Sequence, residues 1–257
     1  MYEAMMIAAT GLHNQQRRLD TIANNVANIN TVGFKGVRLD FKDAMYTNGI
    51  IPGPPRTPEG NQQKGHGVMV AGTTKDFRPG NIQITERPLD IAIEGEGFFE
   101  LRDMNGNLFY TRNGAFKLSA EYDGTYLCNG DGLYVMDIAG NRIMLPDDAE
   151  TISVGVDGTI SFTNDGRDAA ITIGIYTFRN LTGLLSEGNG NYSESAASGE
   201  KMAAGNVIIR QGAIEGSNVN LAEEMTRMIR TQRAFQLASR ALTTADEMQG
   251  IANNMRR

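Results

Sequence analysis

Tryptophan is absent from this 257-residue chain, cysteine occurs once and histidine twice. With Cys128 alone, no disulfide can form within the chain. With only His13 and His66 beside it, most metal-ligand and nucleophile constellations are excluded. Clustered cations are missing as well: 24 Lys plus Arg stand against 30 Asp plus Glu, a formal charge of −6, and no basic run exceeds two residues. A surface that neutralises phosphates needs such clusters, so nucleic acid is not an expected partner. Long apolar runs are lacking too. Ala4 to Ala9 is only six residues and follows Glu3, without the basic flank and the roughly 7–15-residue core of a secretory signal. No run approaches the roughly 18–20 residues of a membrane span, so no membrane insertion is expected. On these grounds alone the chain reads as cytoplasmic.

What is present is 40% hydrophobic and 21% charged residues, enough to bury a core in one large domain or two modest ones. Glycine, at 30 residues, exceeds the usual share of about 7% and predicts many turns.

Both ends of the chain carry heptad patterns. Over the first 29 residues Met5, Leu12, Leu19 and Val26 recur every seven, with Ala8, Ile22 and Ile29 at the companion offset and Gln15 interrupting. Such a narrow stripe predicts a helix that seeks a partner helix. Gly11 inside it costs about 1 kcal/mol relative to Ala, a penalty offset where another backbone approaches, and Gly33 is the expected stop. Leu221, Met228, Phe235 and Leu242 repeat the spacing near the other end, with Ala238, Ala245 and Ala252 beside them. Asn220 with Glu223 is a capping-box variant, and Glu223 with Arg227 is a favourable i,i+4 pair. A helix over about 220–255, roughly 53 Å long, is predicted. The fold class expected is α+β: terminal helices pairing as a coiled-coil-like layer around a central all-β domain.

The centre is read as β from its turns. Asn105-Gly106, Asn113-Gly114, Asp123-Gly124, Asn129-Gly130, Asp131-Gly132, Ala139-Gly140, Asp157-Gly158 and Asp165-Gly166 separate short β-branched or aromatic stretches such as Ile82-Gln83-Ile84 and Leu108-Phe109-Tyr110. Residues 46–67 fit neither pattern. Pro52, Pro54, Pro55 and Pro58 among glycines and polar residues predict extended, polyproline-like backbone. The expected division is 1–34 with 217–257 as a discontinuous helical assembly domain, 35–67 as a linker and extended inter-subunit segment, and 68–216 as the all-β outer domain.

Catalytic and metal chemistry find little footing. Asp103-Met104-Asn105-Gly106-Asn107 starts like a calcium loop, but its glycine is misplaced and loop position 12 is Gly114 rather than Glu. Glu94 and Glu96 alternate onto one strand face without a nucleophile, base or oxyanion motif. No cofactor, metal or catalytic residue is expected, and the chain is not read as an enzyme.

Ala23-Asn24-Asn25-Val26-Ala27-Asn28, followed by Thr31 and Gly33-Phe34-Lys35, resembles the signature of the bacterial flagellar rod and hook protein family. Leu89-Asp90-Ile91-Ala92-Ile93-Glu94-Gly95-Glu96-Gly97-Phe98-Phe99 is similar to the start of the family's β domain. Ser217-Asn218-Val219-Asn220-Leu221-Ala222-Glu223-Glu224-Met225, running on to Arg230-Thr231-Gln232-Arg233-Ala234-Phe235, is similar to its C-terminal helix. Length, a single β domain and the Pro/Gly segment favour the distal-rod branch over the hook branch, with the proximal-rod branch as the alternative. The segment is richer in proline than that branch leads one to expect.

The resemblance implies a structural subunit that self-assembles into a helical homopolymer transmitting motor torque. Its implied partners are other rod proteins, the hook protein, surrounding ring proteins and the flagellar export apparatus. It also implies export by the flagellar type III route without a cleavable signal, which replaces the cytoplasmic reading with the flagellar basal body. Met5, Leu12, Leu19, Ile22, Val26, Leu221, Met228, Phe235 and Leu242 are then the expected subunit-packing residues. The signature asparagines are read as hydrogen-bonding between subunits. Phe41 and Met45 resemble the short export-gate signal, and the Pro/Gly segment is expected to lie across neighbouring subunits and stiffen the rod.

Overall fold

The longest element begins where the sequence places a cap. Asn220 Oδ1 accepts from the backbone N–H groups of Ala222 at 3.0 Å and Glu223 at 3.4 Å, two donors the first helical turn leaves unpaired. Helix α2 then runs Leu221–Asn254. Glu223 and Glu224 complement its positive end, and both pair with Arg227. Helix α1 spans Tyr2–Ala27. It ends six residues before Gly33, which is therefore not its stop signal; Gly33 has φ +68° and a different role.

The computed structural model describes residues 2–49, 62–145, 152–164, 167–205 and 207–255. Two compact units emerge: Met1–Ala27, Val37–Thr74 and Asn220–Arg257 form a helical unit, and Asn28–Gly36 with Lys75–Val219 form a β unit. This grouping differs from the division expected from sequence. Val37–Thr74 fall with the helices, where the sequence reading has a linker over 35–67 and the β domain from 68, and Asn28–Gly36 falls with the β unit.

In the helical unit the two helices pack antiparallel, with Asn25 near the end of α1 beside Glu224 at the start of α2. The sheltered positions keep heptad spacing: Met5, Ala8, Leu12, Gln15, Leu19, Ile22 and Val26 on α1, and Glu224, Met228, Thr231, Phe235, Ala238, Leu242, Ala245, Gln249 and Ala252 on α2. This is the repeat of a coiled-coil seam. Leu221 is the exception, left 44% exposed. Among the described residues no heavy atom outside its own helical turn lies within 4 Å of where a Gly11 Cβ would stand, so none of their backbone closes on it. Gly11→Ala should therefore stabilise the free protein by about 1 kcal/mol, seen as a rise in the thermal midpoint.

Strand Val37–Asp43 pairs with Val68–Lys75, and α1 packs against the first of these. At the two ends of the Pro/Gly segment Tyr46–Gly49 pairs antiparallel with Gln62–Gly65, Tyr46 opposite Gly65, so these ends lie side by side. The four prolines lie outside the described residues.

The β unit is built on antiparallel pairings, as the turn spacing predicts. Its nine-stranded sheet centres on Phe98–Arg102, flanked by Leu108–Thr111, Tyr134–Val135 and Ile175–Phe178. Smaller pieces pair Ile91–Glu94 with Ile208–Gln211, Ile82–Ile84 with Ala213–Glu215, and Thr159–Asn164 with Ser153–Val154 and Arg167–Thr172. Several predicted turns place their glycine at positive φ, among them Gly106, Gly124 and Gly158. Gly114 is needed for a different reason: a Cβ there would stand 1.7 Å from the Ile91 carbonyl oxygen.

Alternation puts Phe98 and Phe99 on opposite faces of the central strand, and both faces are covered. Phe99 packs edge-on to Phe116 at 5.1 Å, among Ile91, Leu101, Leu127 and Ile143. Phe98 meets Phe77, Phe178 and Tyr192. Burial pushes the Tyr192 phenol up to about 12 and the Cys128 thiol up to about 11, and holds Tyr110 higher still. The native state thus keeps protons that the unfolded chain releases near 9 for Cys128 and 10 for the tyrosines. Stability from these groups is full below pH 9 and falls as pH climbs from 9 toward 12. Denaturant titrations at about pH 8 and about pH 11 should show the loss.

Candidate functional site

The signature residues converge on the connector that joins α1 to the strand Val37–Asp43. Within the helical unit, the buried Asn25 carboxamide accepts from Val37 N at 2.9 Å and donates to Val37 O at 2.8 Å. It pairs both backbone groups as a neighbouring strand would, and also donates to Glu224 Oε2 at 3.4 Å. Asparagine fits because its amide carries a donor and an acceptor side by side. The connector therefore leaves and re-enters the helical unit at one stapled point, and Asn25 finds these partners within the chain.

Within the β unit the connector's tip is buried. Gly33 N donates to Glu215 O at 2.7 Å, and a Cβ on Gly33 would lie 2.8 Å from the Arg112 carbonyl carbon. Close approach and positive φ both demand glycine there. Two residues on, Lys35 is 1% exposed, and its Nζ donates to Glu215 Oε1 at 2.6 Å and Arg78 O at 2.9 Å. Glu215, equally buried, also accepts from Gly80 N at 2.7 Å and from Arg112 Nη1 at 3.1 Å. Arg112 finds further partners in Ile93 O and Gly95 O, and its guanidinium lies over the Phe98 ring at 5.5 Å. Burial pulls the Lys35 and Arg112 pKa values down, and the Glu215 carboxylate opposes this at both. One carboxylate thus lies between two buried cations and ties four stretches of chain together.

Asn218 completes the knot. Its Oδ1 accepts from Gly36 N at 2.8 Å, and its Nδ2 donates to Asp76 O at 2.7 Å and Arg78 O at 3.1 Å. Gly36 O accepts from Asp76 N at 2.9 Å. Three passages of the chain, at Gly36, Asp76 and Asn218, are cross-linked side by side.

Other predicted residues lie elsewhere. Ala23, Ala27 and Thr31 are exposed, and Phe34, Ser217 and Val219 are half-buried. Thr31 Oγ1 donates to Asn28 Oδ1 at 3.1 Å in the turns after α1. Phe41 is half-buried in its strand, with the Arg18 guanidinium 5.8 Å above its ring, whereas Met45 is 85% exposed. Glu215 and Arg112 do not stand out in the sequence. Period-two alternation offers one signal, since Glu215 shares a strand face with the buried Ala213.

Among the described residues no His, Cys, Asp or Glu group is arranged to hold a metal, and no helix is long and apolar enough to cross a membrane. The arrangement fastens chain segments; its chemistry is structural.

Comparison with known proteins covers the same blocks. Residues 5–35 match the family described as Flagella basal body rod protein. Residues 92–162 match the flagellar hook protein FlgE/F/G D1 domain, and 210–255 match the flagellar basal body rod FlgEFG protein C-terminal family. The flagellar basal-body rod proteins FlgG of Borreliella burgdorferi and of Bacillus subtilis are each 38% identical, with 100% of both chains covered. The flagellar hook-basal body complex protein FlhP of Bacillus subtilis is 32% identical at the same coverage. With the three blocks in order and whole-length identity to rod proteins, the chain belongs to the flagellar basal-body rod protein family.

Proposed function

We propose that the chain is the structural subunit of the flagellar distal rod, polymerising through its helical unit into a tube that carries motor torque to the hook. Membership of the rod family supports the class of function. The observation that carries the polymer reading is the surface of α2. Its seam is taken up by α1, yet Met225, Ile229, Leu237, Met248 and Ile251 stand 44–66% exposed along the helix. So much apolar side chain facing water marks a helix pair built to be covered by neighbours. The seam residues Met5, Leu12, Leu19, Ile22, Val26, Met228, Phe235 and Leu242 act one step earlier, by making the pair that presents this surface.

The two layers predict different failures. Ile229→Asp or Leu237→Asp should leave the free protein's helicity and thermal midpoint unchanged while abolishing rods and motility. Leu12→Asp or Phe235→Asp should lose helicity first, with the β unit still folded. Normal rods from Ile229→Asp and Leu237→Asp together would overturn the polymer reading.

Hook and other rod proteins are the axial partners in this reading, with ring proteins around them. Delivery runs through the flagellar export apparatus, with Met45 and Phe41 as its signal. The exposed Met45 gives the cleaner test. Met45→Ala should hold the protein in the cytoplasm with its fold intact, and undiminished secretion would remove the assignment.

A further inference from the structure

Beside its seam, helix α1 carries a second stripe. Met6, Ala9, Thr10, His13 and Arg17 recur every three or four residues and all are exposed. The strand Val68–Lys75 begins against this stripe and walls it into a groove. Asn14 Nδ2 donates to Val68 O at 2.5 Å, and a Cβ on Gly67 would stand 2.9 Å from Thr10 Oγ1, so helix and strand are tied at the groove's edge. The groove lies wholly inside the helical unit and encloses about 450 Å³. Its lining is apolar at Met6, Ala9, Met69 and Val70 and cationic at Arg17. Met6 and Met69 stand 65% and 53% exposed, and Arg17 has no ion pair among the described residues.

We propose that this groove receives the C-terminal end of α2 from a second copy of the chain, with Glu247 meeting Arg17. That end offers the matching chemistry. Met248, Ile251 and Met255 lie at i, i+3 and i+7 on one face and are 64%, 59% and 79% exposed. Glu247, one turn before Ile251, is exposed and has no ion pair among the described residues. The lengths agree as well: Met6 to Arg17 spans roughly 16 Å of helix and Glu247 to Met255 roughly 12 Å. An apolar helix face laid in an apolar trough, with an ion pair fixing its register, is a helix-in-groove contact. The chain cannot fill its own groove this way. Antiparallel pairing sets Asn25 beside Glu224, which carries the chain's own Glu247 to the first turn of α1, roughly 22 Å along the helix from Arg17. Groove and helix end are different surfaces, so the contact is heterologous, the kind that builds rings or helical filaments rather than a closed pair. The inference rests on the polymer reading and names one of its contacts.

The test mixes two full-length variants, Ala9→Cys in the groove and Ile251→Cys on the helix end, both exposed positions, the native Cys128 being buried. Mild oxidation should join residue 9 of one copy to residue 251 of another, read by mass spectrometry of the linked peptides. Adding Arg17→Glu to the groove copy, or Glu247→Arg to the helix-end copy, should cut the yield about tenfold. Helicity and thermal midpoint should not move, since both side chains are exposed. Mixing the two charge-reversed copies should restore the yield. The contact is overturned if neither reversal lowers the yield, if the reversed pair does no better than the single reversals, or if the parent pair does not cross-link, even where the groove then takes up lipid vesicles or another protein. Copies that cross-link as expected but form no rods would remove the rod assignment and keep the contact; rods without the cross-link would do the reverse.

Discussion

Glu215→Gln should cost about 3–5 kcal/mol of folding stability, the range for breaking a buried ion pair by removing one partner. The carboxylate accepts from Lys35, Gly80 and Arg112, all inside the β unit. Glutamine has nearly the same shape, but it carries no charge and turns an NH2 toward groups that are themselves donors. Two cations would remain buried without an anion. Against a typical total of about 5–15 kcal/mol the loss is large, and it corresponds to a fall in thermal midpoint of roughly 10 °C for a chain of this size. Lys35→Met should cost much less, because the pair left behind is neutral and a methionine chain fills similar volume. The ranking is diagnostic: equal losses for Lys35→Met and Glu215→Gln would show that the knot is held by packing rather than by its charge balance.

Phe99→Ala should be the second severe change, at about 3–5 kcal/mol. Its ring is 0% exposed and stands edge-on to Phe116 on the strand that has neighbours on both sides. Removing it leaves a cavity that a central strand cannot collapse to fill, because register with Thr111 and Ile175 fixes the backbone. Denaturant unfolding should show a lower midpoint with an unchanged slope. A loss below about 1 kcal/mol would mean that the two-faced core is less tightly packed than its burial indicates.

The elements legible in the sequence are those whose signals are local. Asn220, Glu223 and Arg227 fix the start of α2 within two turns of chain, and the heptads fix which sides of α1 and α2 meet. Turn dipeptides mark several of the hairpins because a glycine at positive φ is a requirement of the turn itself. The knot is illegible because its partners are far apart in sequence: Lys35 and Glu215 are separated by 180 residues, Arg112 and Glu215 by 103. The Asn25 staple is hidden for a related reason. Its partner is the backbone of Val37, which leaves no mark in the side-chain pattern, so an asparagine at a helix end looks available to a neighbouring subunit. The pairing of 46–49 with 62–65 escapes notice because polar, glycine-containing strands lack the apolar alternation that reveals register. Inside one chain, Gly33, Lys35 and Asn218 of the family signature close the connector onto the β unit.

Amide hydrogen exchange on the free, unassembled protein tests that claim most directly. Gly33, Gly36, Gly80 and Gly216 donate their N–H groups to Glu215 O, Asn218 Oδ1, Glu215 Oε1 and Asn81 O. If the knot is a property of the single chain, all four should exchange at the slow rate of the Phe98–Arg102 strand, and in Glu215→Gln all four should speed up together. Fast exchange at Gly33 and Gly36 in the free protein, slowing only once rods have formed, would contradict the account and return the signature to the contacts between subunits.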